Sequence, residues 1–125
     1  MMLEPNVIVL YVDDMAITSQ FYQDLLGIKP IDASIDFHSF ILSNGMNLAL
    51  KAKHSVVPQT EVKGGNGELA FALDDHKKVD ELFATCQAKG ISIIFPTSQV
   101  PFGYTFVALD PDGHRLRVVS LGQSS

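Results

Sequence analysis

The stretch "YVDDMAITSQFYQDLLGIKPI", Tyr11 to Ile31, decides the fold, because the chain says something similar a second time. "ALDDHKKVDELFATCQAKGISI", Ala72 to Ile93, has the same order of parts: an apolar strand end, Asp-Asp, a helical stretch, a glycine and an apolar strand start. Further on, "FILSNGMNLAL" (Phe40 to Leu50) is matched by "ALDPDGHRLRV" (Ala108 to Val118). Few residues are shared, so the repeat lies in the patterning. Two units with one order of elements predict a duplicated module of strands and a helix.

Within each half the local signals agree. An apolar strand over Asn6–Val12 leads to Asp13 and Asp14, either of which can cap a helix. Ile17, Phe21, Leu25 and Leu26 recur at helical spacing over Ala16–Leu26, and Gly27 suits the C-terminal cap. Strands are expected near Ile28–Ile35, Phe37–Leu42 and Met46–Ala52. The second half has a strand over Glu68–Leu73 and a helix over Lys77–Lys89, with Val79, Leu82, Phe83 and Cys86 on one face. Gly90 ends that helix, and strands follow near Ser92–Phe95, Tyr104–Leu109 and His114–Ser120. The fold class is therefore α+β. It is a single domain over 1–125, with module one at about 1–53, a Gly-rich polar linker at about 54–66 and module two at about 67–122. A module of roughly 55 residues is marginal alone, so the two are expected to share one core.

Composition narrows the function. The chain has 125 residues and a net charge of −5, which argues against a nucleic-acid partner because phosphate binding needs a basic face. No apolar run approaches a membrane span, and the N-terminus lacks the basic start of a signal peptide, so a cytoplasmic location is expected. The single Cys86 rules out an intrachain disulfide and a cysteine zinc cluster.

Strand alternation separates two faces. Ile8, Leu10, Val12, Leu48, Leu50, Leu69, Phe71, Leu73, Val107, Leu109, Leu116 and Val118 form an apolar set expected to pack on the helices. The opposite set is Val7, Val9 and Tyr11; His38, Phe40 and Leu42; Asn47, Ala49 and Lys51; Glu68, Ala70 and Ala72; Tyr104, Phe106 and Ala108; and Arg115 and Arg117. Small residues leave room, aromatics offer flat area and sparse polar groups orient a ligand, so this face reads as a cleft wall. The "DPDG" stretch, Asp110 to Gly113, reads as a tight turn; a calcium loop would need more oxygen ligands at fixed spacing.

At this point "VLYVDDMAITSQFYQDLLGIKPI" and "FVALDPDGHRLRVV" resemble the opening and closing signatures of the vicinal oxygen chelate superfamily, which includes glyoxalase I, bleomycin-resistance proteins and extradiol dioxygenases. The resemblance implies paired βαβββ modules forming a cupped, eight-stranded mixed sheet with helices on the outer face. It also implies four metal-ligand positions, which fall here at Val7, Ala49, Glu68 and Arg117. Val7 and Ala49 carry no donor, and a guanidinium repels a cation, so no metal and no other cofactor is expected. Glu68 and Arg117 are expected either to form an ion pair or to leave the arginine free for a carboxylate or an aromatic ligand.

The closing run looks most like the metal-free phenazine- and bleomycin-resistance branch. That likeness implies a homodimer that sequesters a planar aromatic compound, with no catalytic residue. The ligand-binding residues would be Tyr11, His38, Phe40, Ala49, Glu68, Phe102, Tyr104, Phe106, Arg115 and Arg117, with Phe37 a further aromatic candidate. The loop "PTSQVPFGYTF" would close over the ligand. A metal-dependent enzyme of the glyoxalase or dioxygenase type is the alternative.

Overall fold

The computed structural model describes residues 3–61 and 67–122. Residues 62–66, the C-terminal part of the expected linker, lie outside the described residues. In chain order the elements are β1 (Val7–Val12), α1 (Met15–Leu26), β2 (Asp32–Ala33), β3 (Phe37–Ile41) and β4 (Asn47–Ala52). A short 3-10 helix, Lys53–Ser55, follows. The second set is β5 (Glu68–Ala72), α2 (His76–Ala88), β6 (Ile93–Val100), β7 (Gly103–Leu109) and β8 (Arg115–Leu121). The α+β class and the duplicated βαβββ module are as expected. The chain divides into two compact units at residues 63 and 64.

Among the described residues the strands form two four-stranded sheets, ordered β1-β4-β3-β2 and β5-β8-β7-β6, and not one continuous eight-stranded ladder. Both sheets are mixed. β1 runs parallel to β4 and β5 parallel to β8, while the remaining pairs are antiparallel. A parallel pair needs a crossover connection, which α1 and α2 supply.

The helix ends repeat the sequence pattern. Asp14 Oδ1 accepts from Ile17 N at 3.1 Å, and Asp75 Oδ1 accepts from Lys78 N at 2.8 Å. The second aspartate of each Asp-Asp pair is thus the N-cap. α1 ends at Gly27, whose left-handed φ of 70° lets its N–H reach Gln23 O at 2.9 Å.

Each helix covers one face of its own sheet. In module one Tyr22, Phe40, Leu50 and Val12 are fully buried. α1 buries Thr18, Ser19 and Tyr22, whereas Ile17, expected on the packed face, is 57% exposed. The buried polar edge of α1 is satisfied by hydrogen bonds: Ser19 Oγ lies 2.7 Å from His38 Nδ1 and accepts from Gln23 Nε2 at 3.2 Å. In module two Phe106, Val79, Leu116 and Val118 are buried, and Phe83 of α2 meets Phe106 edge to face at 5.2 Å. No helix among the described residues is long and apolar enough to cross a membrane.

The second strand of module one is much shorter than expected, at two residues. Pro30 cannot donate to a ladder, and Ser34 N already bonds Phe37 O at 2.9 Å to turn the chain into β3. The opposite holds in module two. The expected closing loop is a β-hairpin, because β6 continues to Val100 and β7 begins at Gly103.

Candidate functional site

Residues paired across a ladder share a face of the sheet, so the register tests the expected cleft wall directly. His38 pairs with Leu50 and Phe40 with Leu48. Both therefore lie on the helix-covered face of module one, as the His38–Ser19 contact requires. In module two Tyr104 pairs with Ser120, Phe106 with Val118 and Ala108 with Leu116, which puts them on the face under α2. Tyr104 Oη donates to Asp80 Oδ1 of α2 at 2.6 Å, and its ring stacks on His76 at 4.9 Å. The bond to Asp80 holds the Tyr104 hydroxyl above its usual pKa. His38, Phe40, Tyr104 and Phe106 are thus corrected from cleft wall to helix packing. Val107 and Leu109 move the other way, pairing with Arg117 and Arg115.

The other expected residues remain on the face opposite the helices. Tyr11 and Ala49 lie there in module one, with Val7, Val9, Asn47 and Lys51. Ser39 and Phe37 join them from β3, in place of His38 and Phe40. Lys51 Nζ lies 5.8 Å from the Phe37 ring centroid and 3.9 Å from Asp36. In module two Glu68, Arg115 and Arg117 lie together on this face with Ala70, Thr105 and Val107.

The polar centre of module two is built around Arg117. Its Nε donates to Glu68 Oε2, and its Nη1 donates to Thr105 Oγ1 at 3.2 Å. Thr105 is buried and donates its own hydroxyl to Val118 O at 2.8 Å, so its oxygen is fixed as an acceptor for the guanidinium. The Phe102 ring lies 5.7 Å from the guanidinium carbon, within cation–π range. Phe102 is 51% exposed and held by its backbone: Gly122 N donates to Phe102 O at 3.0 Å, and Gln99 Nε2 donates to Gly103 O at 2.9 Å. Thr105 was not singled out from sequence. Once β7 is placed in the correct phase, alternation puts it beside Arg117.

The two modules repeat this geometry without its chemistry. Glu68 pairs with Arg115, two residues before Arg117; Val7 pairs with Asn47, two residues before Ala49. Glu68 and Arg117 thus correspond to Val7 and Ala49. These four are the positions that the superfamily resemblance assigns to metal ligands. Two have no donor atom, and the one carboxylate is bound to the fourth residue's fixed positive charge. This donor set does not fit a divalent cation. Among the described residues no three His, Cys, Asp or Glu side chains gather in a way that could hold one.

The DPDG turn is structural, as expected. Asp110 Oδ1 accepts from the backbone N–H of Asp112 and His114, each at 2.9 Å, and Oδ2 meets His114 Nδ1 at 2.7 Å. That bond to Asp110 raises the His114 pKa above its ordinary value against the opposing effect of burial. One cavity, of about 570 Å³, lies in module one and is lined by Val12, Asp13, Lys53, His54, Gln59, Thr60 and Glu61. It contains none of the expected site residues and no phenylalanine or tyrosine.

Comparison with known proteins agrees with this architecture. The family model described as Glyoxalase/Bleomycin resistance protein/Dioxygenase superfamily matches residues 5–118. A protein from Agrobacterium tumefaciens solved by solution NMR is 45% identical, with a TM-score of 0.88 over 97% of this chain and 99% of that one. A glyoxalase-related enzyme from Fulvimarina pelagi is 21% identical, with a TM-score of 0.84 over 99% and 96% of the two chains. A lactoylglutathione lyase from Agrobacterium tumefaciens is 22% identical, with a TM-score of 0.75 over 91% and 90%. The last two likenesses bear on the fold alone. Among curated proteins, none matches.

Proposed function

The chain belongs to the Glyoxalase/Bleomycin resistance protein/Dioxygenase superfamily, and from that premise we propose that it binds and sequesters a small planar aromatic compound without a catalytic metal. The observation that carries this reading is the Arg117 centre. Glu68 and Thr105 fix the guanidinium, and Phe102 offers an exposed ring beside it. A fixed cationic plane and an exposed ring on a face with small neighbours suit a flat ligand. The enzyme alternative needs a metal that the Val7, Ala49, Glu68 and Arg117 set does not suit, or a general base. The Glu68 carboxylate is already engaged by Arg117, whereas a general base has to reach the substrate proton.

This reading takes Phe102, Arg115, Arg117 and Glu68 as ligand-facing in module two and Tyr11 in module one; Ala49, at 1% exposure, offers a ligand no surface. It keeps the expectation of a homodimer, which light scattering at micromolar concentration tests by returning the mass of two chains. The function itself is tested by thermal shift on chelator-treated protein. The panel holds phenazines, a bleomycin-type glycopeptide, other planar antibiotics and the divalent ions of nickel, zinc, manganese and iron. A planar compound that raises Tm at stoichiometric ratios, without turnover, is the expected result. Stabilisation by a metal ion alone would overturn it.

A further inference from the structure

The 125-residue chain has only two arginines, Arg115 and Arg117, among its nine lysines and arginines. Both arginines lie on β8, two residues apart, and both lie on the face opposite α2. Side chains two apart on a strand are separated by about 6.6 Å along it, a span that a small ligand bridges. Arginine differs from lysine in presenting a planar fork that binds a carboxylate through two parallel hydrogen bonds.

Glu68 is the one acid among the residues paired into this face. It stands directly across from Arg115 in the ladder, yet its carboxylate is given to Arg117. Arg115 is exposed and has no ion-pair partner among the described residues. The nearby Asp110 is turned into its own loop, where it bonds His114. The face therefore carries a surplus positive charge in a protein whose net charge is −5.

We infer that Arg115 is a carboxylate-binding residue and that the ligand of this face is an aromatic carboxylate. Its ring would lie against Phe102 and the Arg117 plane, and its anionic group would meet the fork of Arg115. The inference rests on the aromatic-capture reading above and specifies its ligand. Arg117, committed to Glu68 and Thr105, orients the ring; Arg115, uncommitted, supplies the charge selection.

The test uses the full chain and two ligands of nearly equal shape, 2-naphthoate and 2-naphthamide, with Kd measured by calorimetry. The naphthoate is expected to bind about tenfold more tightly than the amide in low salt, with the preference shrinking as salt rises. Arg115→Gln is expected to remove the preference, chiefly by weakening naphthoate binding, while leaving Tm unchanged. Equal binding of the two ligands, or a preference that survives Arg115→Gln, overturns the carboxylate assignment and leaves aromatic capture standing. Binding of neither compound overturns both.

Discussion

Glu68 faces Arg115 across the parallel β5–β8 ladder but bonds Arg117, two residues further along the strand. The diagonal choice follows from what lies beyond it. Thr105 on β7 offers a buried acceptor to the far side of the Arg117 guanidinium, so that side chain is held at both ends. Arg115 has Leu109 as its β7 neighbour, which offers no such partner.

The first prediction concerns this pair. The side chains of Arg117 and Glu68 are 22% and 31% exposed, so water screens much of their attraction. Glu68→Gln is expected to lower stability by about 1 kcal/mol at pH 7. Urea denaturation in low salt measures it, and the loss should shrink in high salt. An unchanged midpoint in both conditions would show that the pair is held by its neighbours and contributes no net stability.

A second prediction separates two phenylalanines that sequence reasoning placed together. Phe106 is fully buried against Phe83. Phe106→Ala should cost about 3–5 kcal/mol and shift the denaturation midpoint strongly. Phe102 is half exposed beside Arg117. Phe102→Ala should leave the midpoint nearly unchanged and weaken the capture of planar ligands severalfold in a fluorescence titration. The reverse pattern would return Phe106 to the ligand face.

The two phenylalanines also show what sequence conveyed and what it did not. The duplicated module was legible, because Asp-Asp, helix and glycine recur in order and each signal has a local physical cause. Glu68 and Arg117 were legible as neighbours through the resemblance, with an ion pair as one of two expected outcomes. The phase of β3 and β7 was not. "GYTFVAL" puts Thr105, Val107 and Leu109 on one side and Tyr104, Phe106 and Ala108 on the other, so both sides read as apolar. In "FHSFI", His38 and Phe40 compete with Phe37, Ser39 and Ile41 in the same way. Alternation settles a phase only where one side is clearly polar. What decides here is contact with the helix: Ser19 receives His38 and Phe83 receives Phe106.

Gly103 carries a third prediction. A Cβ built there would lie 2.3 Å from Ser120 O and 2.9 Å from Leu121 Cα, so β7 can approach β8 this closely only without a side chain. Gly103→Ala should destabilise the protein by about 2 kcal/mol or more through backbone displacement. It should also move Phe102 away from Arg117 and so reduce ligand affinity. Hydrogen exchange at Gly122, whose N–H bonds Phe102 O, reports the local change. Unaltered protection and stability would mean that the hairpin tip tolerates the displacement.

The last prediction is a pH dependence at the DPDG turn. His114 bonds Asp110, whose side chain is fully buried, and that bond raises the His114 pKa in the folded protein. In the unfolded chain the imidazole has a pKa of about 6.5. A pKa higher when folded than when unfolded means that the folded state holds the proton more tightly. The added stability is fully present below about pH 6.5 and declines as pH rises through the folded value. Melting temperature should therefore carry a component that falls across that window, and His114→Asn should flatten it. The titration of the His114 ring by NMR checks the cause directly. A folded midpoint at or below the ordinary histidine value would remove the basis for the pH dependence, because burial would then outweigh the bond to Asp110.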